Sequence, residues 1–416
     1  MDRQTPLFTN DAVVLGILMG LLAFVFITSG SRHPFWRKFY TYIPSLLLCY
    51  FLPSVLNSLG IISGDESKLY YVSSRYLLPA SLVLLTLSID LKGILNLGPK
   101  AVIMFLTGTF GIMFGGPLAV LIVAAVSPET VGGAGTDAVW RGLTTVAGSW
   151  IGGGANQTAM KEVFEVGDEI FSAMITVDVI VANIWMAFLL YGAGQRKKID
   201  AWLQSDTSAI EDVRHRIETY RASIARIPNL SDMVVVFAVG FGVTAVAHYG
   251  ADHIVPFLQR VAPALDRYSL TSEFFWIVVI ATTGGLGLSF TRARKLEGVG
   301  ASRTGSLLLY VLVASIGMKM DITAILDHPG LFVVGAIWMA FHAGLLILVA
   351  RLIKAPLFFM AVGSQANVGG AASAPIVASA FDSALAPVGV LLAVLGYALG
   401  TYAAYICGLM MQAVAP

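Results

Sequence analysis

Long apolar runs, separated by short polar ones, dominate this chain. A bilayer core about 30 Å thick is crossed by about 20 apolar residues in helical form. Ten stretches satisfy that length: 11–30, 42–60, 74–91, 101–126, 170–192, 232–249, 272–290, 304–320, 330–350 and 385–412. Each predicts a membrane-crossing helix. Two further stretches, 138–160 and 356–381, are apolar but broken by glycines, with polar residues at their centres. The first span has no convincing positive leader region or small-residue cleavage site, so it reads as a retained helix rather than a removed signal peptide.

Basic residues between the spans give the orientation. They gather at Arg32, Arg37 and Lys38; at Lys92 and Lys100; at Arg196, Lys197, Lys198, Arg214, Arg216, Arg221 and Arg226; at Arg292, Arg294, Lys295 and Arg303; and at Arg351 and Lys354. All five groups fall on one face if the ten clean spans cross and the two glycine-broken segments do not; if both broken segments crossed fully, 195–229 would fall on the opposite side from 31–40. The broken segments are therefore expected to be re-entrant hairpins, with full but unwound crossings as the alternative, the basic groups cytoplasmic and both termini outside.

The two halves of the chain resemble each other. Asp90-Leu-Lys-Gly-Ile-Leu-Asn96 matches Asp321-Ile-Thr-Ala-Ile-Leu-Asp327, and Gly148–Thr158 matches Gly363–Ser373 more loosely. Five crossings per half, an odd number, predict halves of opposite orientation. The fold class expected is an all-α polytopic membrane protein built as an inverted repeat. Residues 1–194 and 230–416 form the two repeats, and 195–229 forms a cytoplasmic amphipathic linker. Paired glycine-interrupted segments in such halves point to the binding site of a secondary transporter.

Composition narrows the function. Hydrophobic residues make up 57% and charged residues 12% of 416, against about 25% charged in soluble domains. A mean hydropathy of +0.79 excludes a soluble enzyme, a disordered chain and a nucleic-acid binder. A net charge of +1 implies no strongly charged partner. Cys49 and Cys407 lie in apolar runs and read as buried thiols. Zinc-protease, aspartyl-protease and ATP-binding motifs are absent, and Gly284-Gly285-Leu286-Gly287 reads as helix packing rather than a phosphate loop.

The candidate chemistry sits at the two breaks. Non-helical backbone at membrane depth is tolerated only inside protein or beside a water-filled cavity. A break also exposes helix N–H groups that favour anions and carbonyls that favour cations. Around the first break, Ser149, Gly153, Gly154, Asn156, Gln157 and Thr158 are the candidate solute contacts. Around the second they are Ser364, Gln365, Asn367, Gly369, Gly370 and Ser373. Asp178, a carboxylate in mid-span, is a candidate for the coupling cation, with Asn183, Asn156 and Asn367 as its companions. Asp90 and Asp321 read as helix caps and His342 as a packing histidine. Arg141 and Lys161 mark the membrane-surface ends of the first break.

Several of these motifs form a set: Ser88-Ile89-Asp90-Leu91 leading to Leu97-Gly98-Pro99, Ile151-Gly152-Gly153-Gly154-Ala155-Asn156, Ala366-Asn367-Val368-Gly369-Gly370, and Leu395-Gly396-Tyr397-Ala398-Leu399-Gly400-Thr401. Together they resemble the YjcL-like polytopic membrane proteins of bacteria and plants, a family of unknown function. In that family an Asn adjoins the mid-span Asp; here Asn183 comes five residues after Asp178. The organisation is more distantly similar to that of glutamate–sodium and citrate–sodium symporters, by analogy only. The resemblance implies a multi-pass protein of the bacterial inner membrane.

Two functions from different classes follow. The first is a secondary active transporter of a small polar, anionic metabolite (an amino acid, a dicarboxylate or a short cell-wall-type peptide), coupled to sodium or protons. The second is a membrane-embedded enzyme or sensor without transport. Neither is expected to need a cofactor, although a sodium ion is a candidate ligand. The expected partners are a small-molecule solute and the lipid bilayer, with no nucleic acid and a homodimer as the candidate assembly.

Overall fold

The computed structural model describes residues 6–43, 45–64, 66–89, 94–95, 97–205, 227–268, 270–319, 329–382 and 385–416. The proposed caps Asp90 and Asp321, and most of the 195–229 linker, lie outside them.

The described elements are helical. In chain order they are α1 (Asp11–Ser29), α2 (Pro34–Tyr42), α3 (Ser45–Ser58), α4 (Leu69–Val72), a π-helical turn (Ser73–Leu77), α5 (Leu78–Leu87), α6 (Pro99–Ala124), α7 (Pro128–Val131), α8 (Val139–Gly152), α9 (Gly154–Val163), α10 (Asp168–Gly194), α11 (Arg196–Leu203), α12 (Leu230–Val261), α13 (Glu273–Ser289), α14 (Ala301–Gly317), α15 (Gly330–Leu352), α16 (Leu357–Val368), α17 (Gly370–Phe381) and α18 (Ala386–Val414). Short 3₁₀ turns join some of them.

Six of these helices, α1, α6, α10, α12, α15 and α18, are long and apolar enough to cross a membrane. A seventh candidate is α13 with the 3₁₀ segment Arg292–Val299, which turns from it by 95°. The remaining three expected crossings are shorter or interrupted: α3 has 14 residues, α14 has 17, and the α4–α5 rod contains the π turn. Even so, the two ends of the α4–α5 rod reach opposite faces. Beyond α5, Ser88 donates to Glu297 at 2.6 Å beside the basic segment 292–295. At the other end of the rod, Arg75 pairs with Glu162 at 2.8 Å.

Small residues let the helices approach, as expected where lipid removes most of the hydrophobic drive between them. Gly108, Gly111 and Gly115 form a stripe along α6 at helical spacing. A methyl group at Gly115 would lie 2.7 Å from Trp338, and one at Gly111 3.1 Å from His342 Nδ1. Trp338 of α15 fills that groove and donates its indole N–H to the Ile112 carbonyl at 2.7 Å.

The packing divides the helices into two bodies. One comprises α6, α8–α10 and α15–α18, whose principal contacts are with one another. The other comprises α1, α3, the α4–α5 rod and α12–α14, with Leu84, Val236 and Leu308 in one of its apolar clusters and Val83, Ala247 and Ile277 in a second. The first body is the later part of each half of the sequence, and the second is the earlier part. They meet mainly where α9 and α18 pass α5 and α13.

Candidate functional site

Both glycine-broken segments fold back on themselves. α8 stops at Gly152, Gly153 takes φ 74° and ψ −173°, and α9 starts at Gly154. That backbone conformation is essentially open only to glycine. The chain then reverses: a methyl at Gly148 would lie 2.5 Å from the Asn156 carbonyl oxygen. In a straight helix eight residues would separate these groups by about 12 Å. At the open end the Trp140 and Phe164 rings are 5.9 Å apart, and Arg141 donates to the Phe164 carbonyl. The second segment repeats this. Gly369 separates α16 from α17, Gly370 at the first position of α17 has φ 57°, and Phe358 and Phe381 close the open end at 5.5 Å.

The hairpins open on opposite faces. The second opens beside the basic helix α11, where Arg196 donates to the Phe381 carbonyl at 2.8 Å and the Leu357 amide donates to Asp200 at 2.8 Å. The first opens at the other end of α10, beside Asp168. Their tips touch inside the protein: a methyl on Gly370 would stand 3.9 Å from Gly153 Cα.

One side chain fixes each tip, in the same way. Asn156, fully buried, donates to the carbonyls of Gly152 (3.2 Å) and Tyr397 (3.0 Å), and its Oδ1 accepts from Thr401 at 2.7 Å. Asn367, also fully buried, donates to the carbonyls of Gly363 (2.9 Å) and Phe105 (2.9 Å), and its Oδ1 accepts from Thr109 at 2.8 Å. Each pattern is an Asn, its own carbonyl four residues back, and a carbonyl and a threonine one turn apart on another helix. Gly152 and Gly400 make room: a methyl would come 2.1 Å and 2.6 Å from Asn156 Nδ2. The host helices differ, α18 for the first tip and α6 for the second, so the local motif is repeated on helices that are not counterparts in the two halves.

Asp178 lies beneath the first tip. It accepts from Trp150 Nε1 at 2.6 Å and from Gln157 Nε2 at 2.8 Å, with Ser149 beside the same carboxylate. The sequence-selected Ser149, Gln157 and Asp178 are thus one cluster. Ser364 of the second hairpin belongs to another. The Gly108 carbonyl can only accept from His342 Nδ1 (3.1 Å), so Nδ1 carries the proton. Nε2 then accepts from the Ser364 hydroxyl at 2.8 Å, and that oxygen accepts from Trp185 Nε1 at 2.8 Å. His342 is buried and satisfied, as a packing histidine should be, but it packs against a candidate site residue.

Gln365 differs from the other amides. Its Nε2 donates to Ser373 Oγ at 2.7 Å, while its Oε1 is buried and has no hydrogen-bond partner. The side chain lies over Gly369, the residue before α17. A buried polar atom without a partner costs about 1–3 kcal/mol, a cost that a bound ligand can relieve. Gly153, Gly154, Gly369 and Ser373 are half-buried, so water can touch the junction. Two helices, α9 and α17, start there with positive ends, and two, α8 and α16, finish there with negative ends.

Two sequence-selected residues stand apart. Thr158 bonds back to the Gly154 and Ala155 carbonyls at 3.1 and 3.0 Å. Asn183 donates to Val179 of its own helix at 2.7 Å; five residues place it about 140° around α10 from Asp178. Conversely, Trp150, Thr109, Tyr397, Thr401, Trp185 and Tyr50 join these clusters without being candidates on sequence. Tyr50 reaches Gln157 Oε1 at 3.4 Å. Trp150 stands inside the glycine-rich motif, and Tyr397 and Thr401 lie in the motif Leu395–Thr401; nothing in the sequence marks Thr109 or Trp185.

A family model with the description "Protein of unknown function (DUF819)" matches residues 16–414. The chain belongs to that family. It is also similar to the uncharacterized membrane protein YjcL of Bacillus subtilis (strain 168), with 23% identity over 376 residues, covering 84% of this chain and 85% of the relative. The family match covers both hairpins and nearly all the spans. The chain is thus a polytopic membrane protein of this family, in agreement with the resemblance carried by its motifs.

Proposed function

We propose that this protein is a secondary active transporter, in the bacterial inner membrane, of a small anionic metabolite: an amino acid, a dicarboxylate or a short cell-wall-type peptide. The observation that carries the reading is the meeting of two helical hairpins, inserted from opposite faces, tip to tip inside the protein. A solute held there faces two helix N-termini, which favour its carboxylate. The half-buried Gly153, Gly154, Gly369 and Ser373 and the unpartnered Gln365 supply contacts at the junction. Because the hairpins belong to one packed body and the early helices of each half to another, sliding between the bodies would carry the site from one face to the other. That motion is alternating access.

Asp178 is the carboxylate for the coupling cation, within reach of the solute through Gln157. Sodium is slightly favoured over a proton, because the hairpins carry amide and hydroxyl groups that can ligate it and Asp178 is the clear mid-span carboxylate among the described residues. The two halves act as an inverted repeat in this reading.

The test is uptake into proteoliposomes under imposed sodium or proton gradients, with amino acids, dicarboxylates and short peptides as solutes. Gradient-dependent accumulation is expected. Intact, reconstituted protein that moves none of these classes under either gradient would overturn the reading. Turnover of a solute in detergent, with no gradient, would favour a membrane enzyme instead.

A further inference from the structure

A charged network lies where the two bodies meet, on the face opposite the basic loops. The body holding the early helices contributes Tyr70, Arg75 and Lys319. The hairpin body contributes Lys161 and Glu162, at the open end of the first hairpin, and Asp168 at the start of α10. Arg75 pairs with Glu162 at 2.8 Å and Lys319 with Asp168 at 3.3 Å. Tyr70 donates to Glu162 and accepts from Lys161 at 3.2 Å. Every one of these contacts crosses between the bodies. Lys161 is held in its own body by Asp168 at 2.8 Å and is 6% exposed. The cations are also backed by rings: Arg75 lies 4.5 Å from the Phe274 centroid, and Lys319 lies 4.8 Å from Tyr70.

Beside the network is a cavity of about 410 Å³, walled by Tyr70, Arg75, Ser272 and Phe274 from one body and by Lys161 and Glu162 from the other. Its volume lies within the range of small-molecule sites. Three polar ties on the basic face each stay within one body: Ser88 with Glu297, Lys100 with the Lys354 carbonyl, and Arg196 with the Phe381 carbonyl.

We propose that this network is the outer gate of the transporter, a latch that holds the first hairpin against the early-helix body and closes the path from the cavity to the hairpin tips. The inference rests on the transport reading for its purpose but not for its test. The charges are complementary across the boundary, so separating the bodies costs the crossing pairs together. The crossing pairs are partly exposed, with the Arg75 side chain at 30% and Lys319 at 23%, so solvent screening weakens each one and keeps the latch reversible. A charged solute in the cavity competes for Arg75 and Glu162 and so loosens the gate it must pass.

The test uses the full-length protein in nanodiscs, with spin labels on Lys68→Cys in one body and Glu169→Cys in the other. Both positions are exposed and outside the network, and the native Cys49 and Cys407 are buried. Unaltered Arg75 and Glu162 should give one short label-to-label distance. Arg75→Gln and Glu162→Gln should each populate a longer distance, and the exchange R75E/E162R should restore the short one. A distance distribution identical in all four proteins overturns the latch, as does an exchange variant that behaves like the single variants while remaining monodisperse. Loss of solute flux with an intact gate response would instead fault the transport reading, so the two failures are distinguishable.

Discussion

Replacing Asn156 or Asn367 by alanine tests the repeated tip motif directly. Each substitution removes three hydrogen bonds from a fully buried site. At a net contribution near 1 kcal/mol each, the loss is about 3 kcal/mol. Part is recovered. Thr401 has Thr282 Oγ1 in reserve at 3.3 Å, and Thr109 has the Phe105 carbonyl at 3.3 Å. The cavity left by the amide adds to the loss, and about 2–4 kcal/mol is expected for each variant. Because the two environments match, the two costs should agree within about 1 kcal/mol. Denaturant unfolding in detergent micelles, followed by tryptophan fluorescence, reads this, with Trp150 and Trp338 buried beside the site and 5.0 Å apart. A double-mutant cycle of Asn156→Ala with Thr401→Val should show a coupling of about 1 kcal/mol. A cost below about 0.5 kcal/mol for either alanine, or strict additivity in the cycle, would refute the view that these amides hold the tips.

Three further outcomes are expected. Asp178→Asn should fold and lose gradient-driven uptake, whereas Asp178→Ala strands the Trp150 and Gln157 donors and should cost about 2–6 kcal/mol; uptake by the Asn variant at the wild-type rate would remove the carboxylate from coupling. Gly153→Ala has room, with Tyr397 3.8 Å away, so its cost of about 1–3 kcal/mol is purely conformational; an unchanged unfolding midpoint would mean that the tip relaxes to another backbone conformation. If sodium binds near Asp178, it should raise the thermal midpoint of the wild type and not that of Asp178→Ala, measured against the same concentration of potassium.

What the sequence determined by itself was local in origin. Hydropathy and the placement of Lys and Arg are properties of short segments, and they were enough for a polytopic helical protein with two interrupted segments at 138–160 and 356–381, but not to decide between hairpins and broken crossings. Gly153 was legible as a break because few other residues adopt its backbone angles. The tertiary structure decided which side chains work together. Helices that are apolar all round carry no mark of which face turns inward, so nothing in the chain aimed Thr109 at Asn367 or Trp185 at Ser364. A rotation of about 140° separates Asn183, bonded to its own helix, from Asp178, bonded to the first hairpin. Asn156 and Asn367 were legible as polar groups beside glycines. That each closes on a carbonyl and a threonine from the other half of the chain depends on the packing of helices more than 200 residues apart, and short-range pattern does not reach that far.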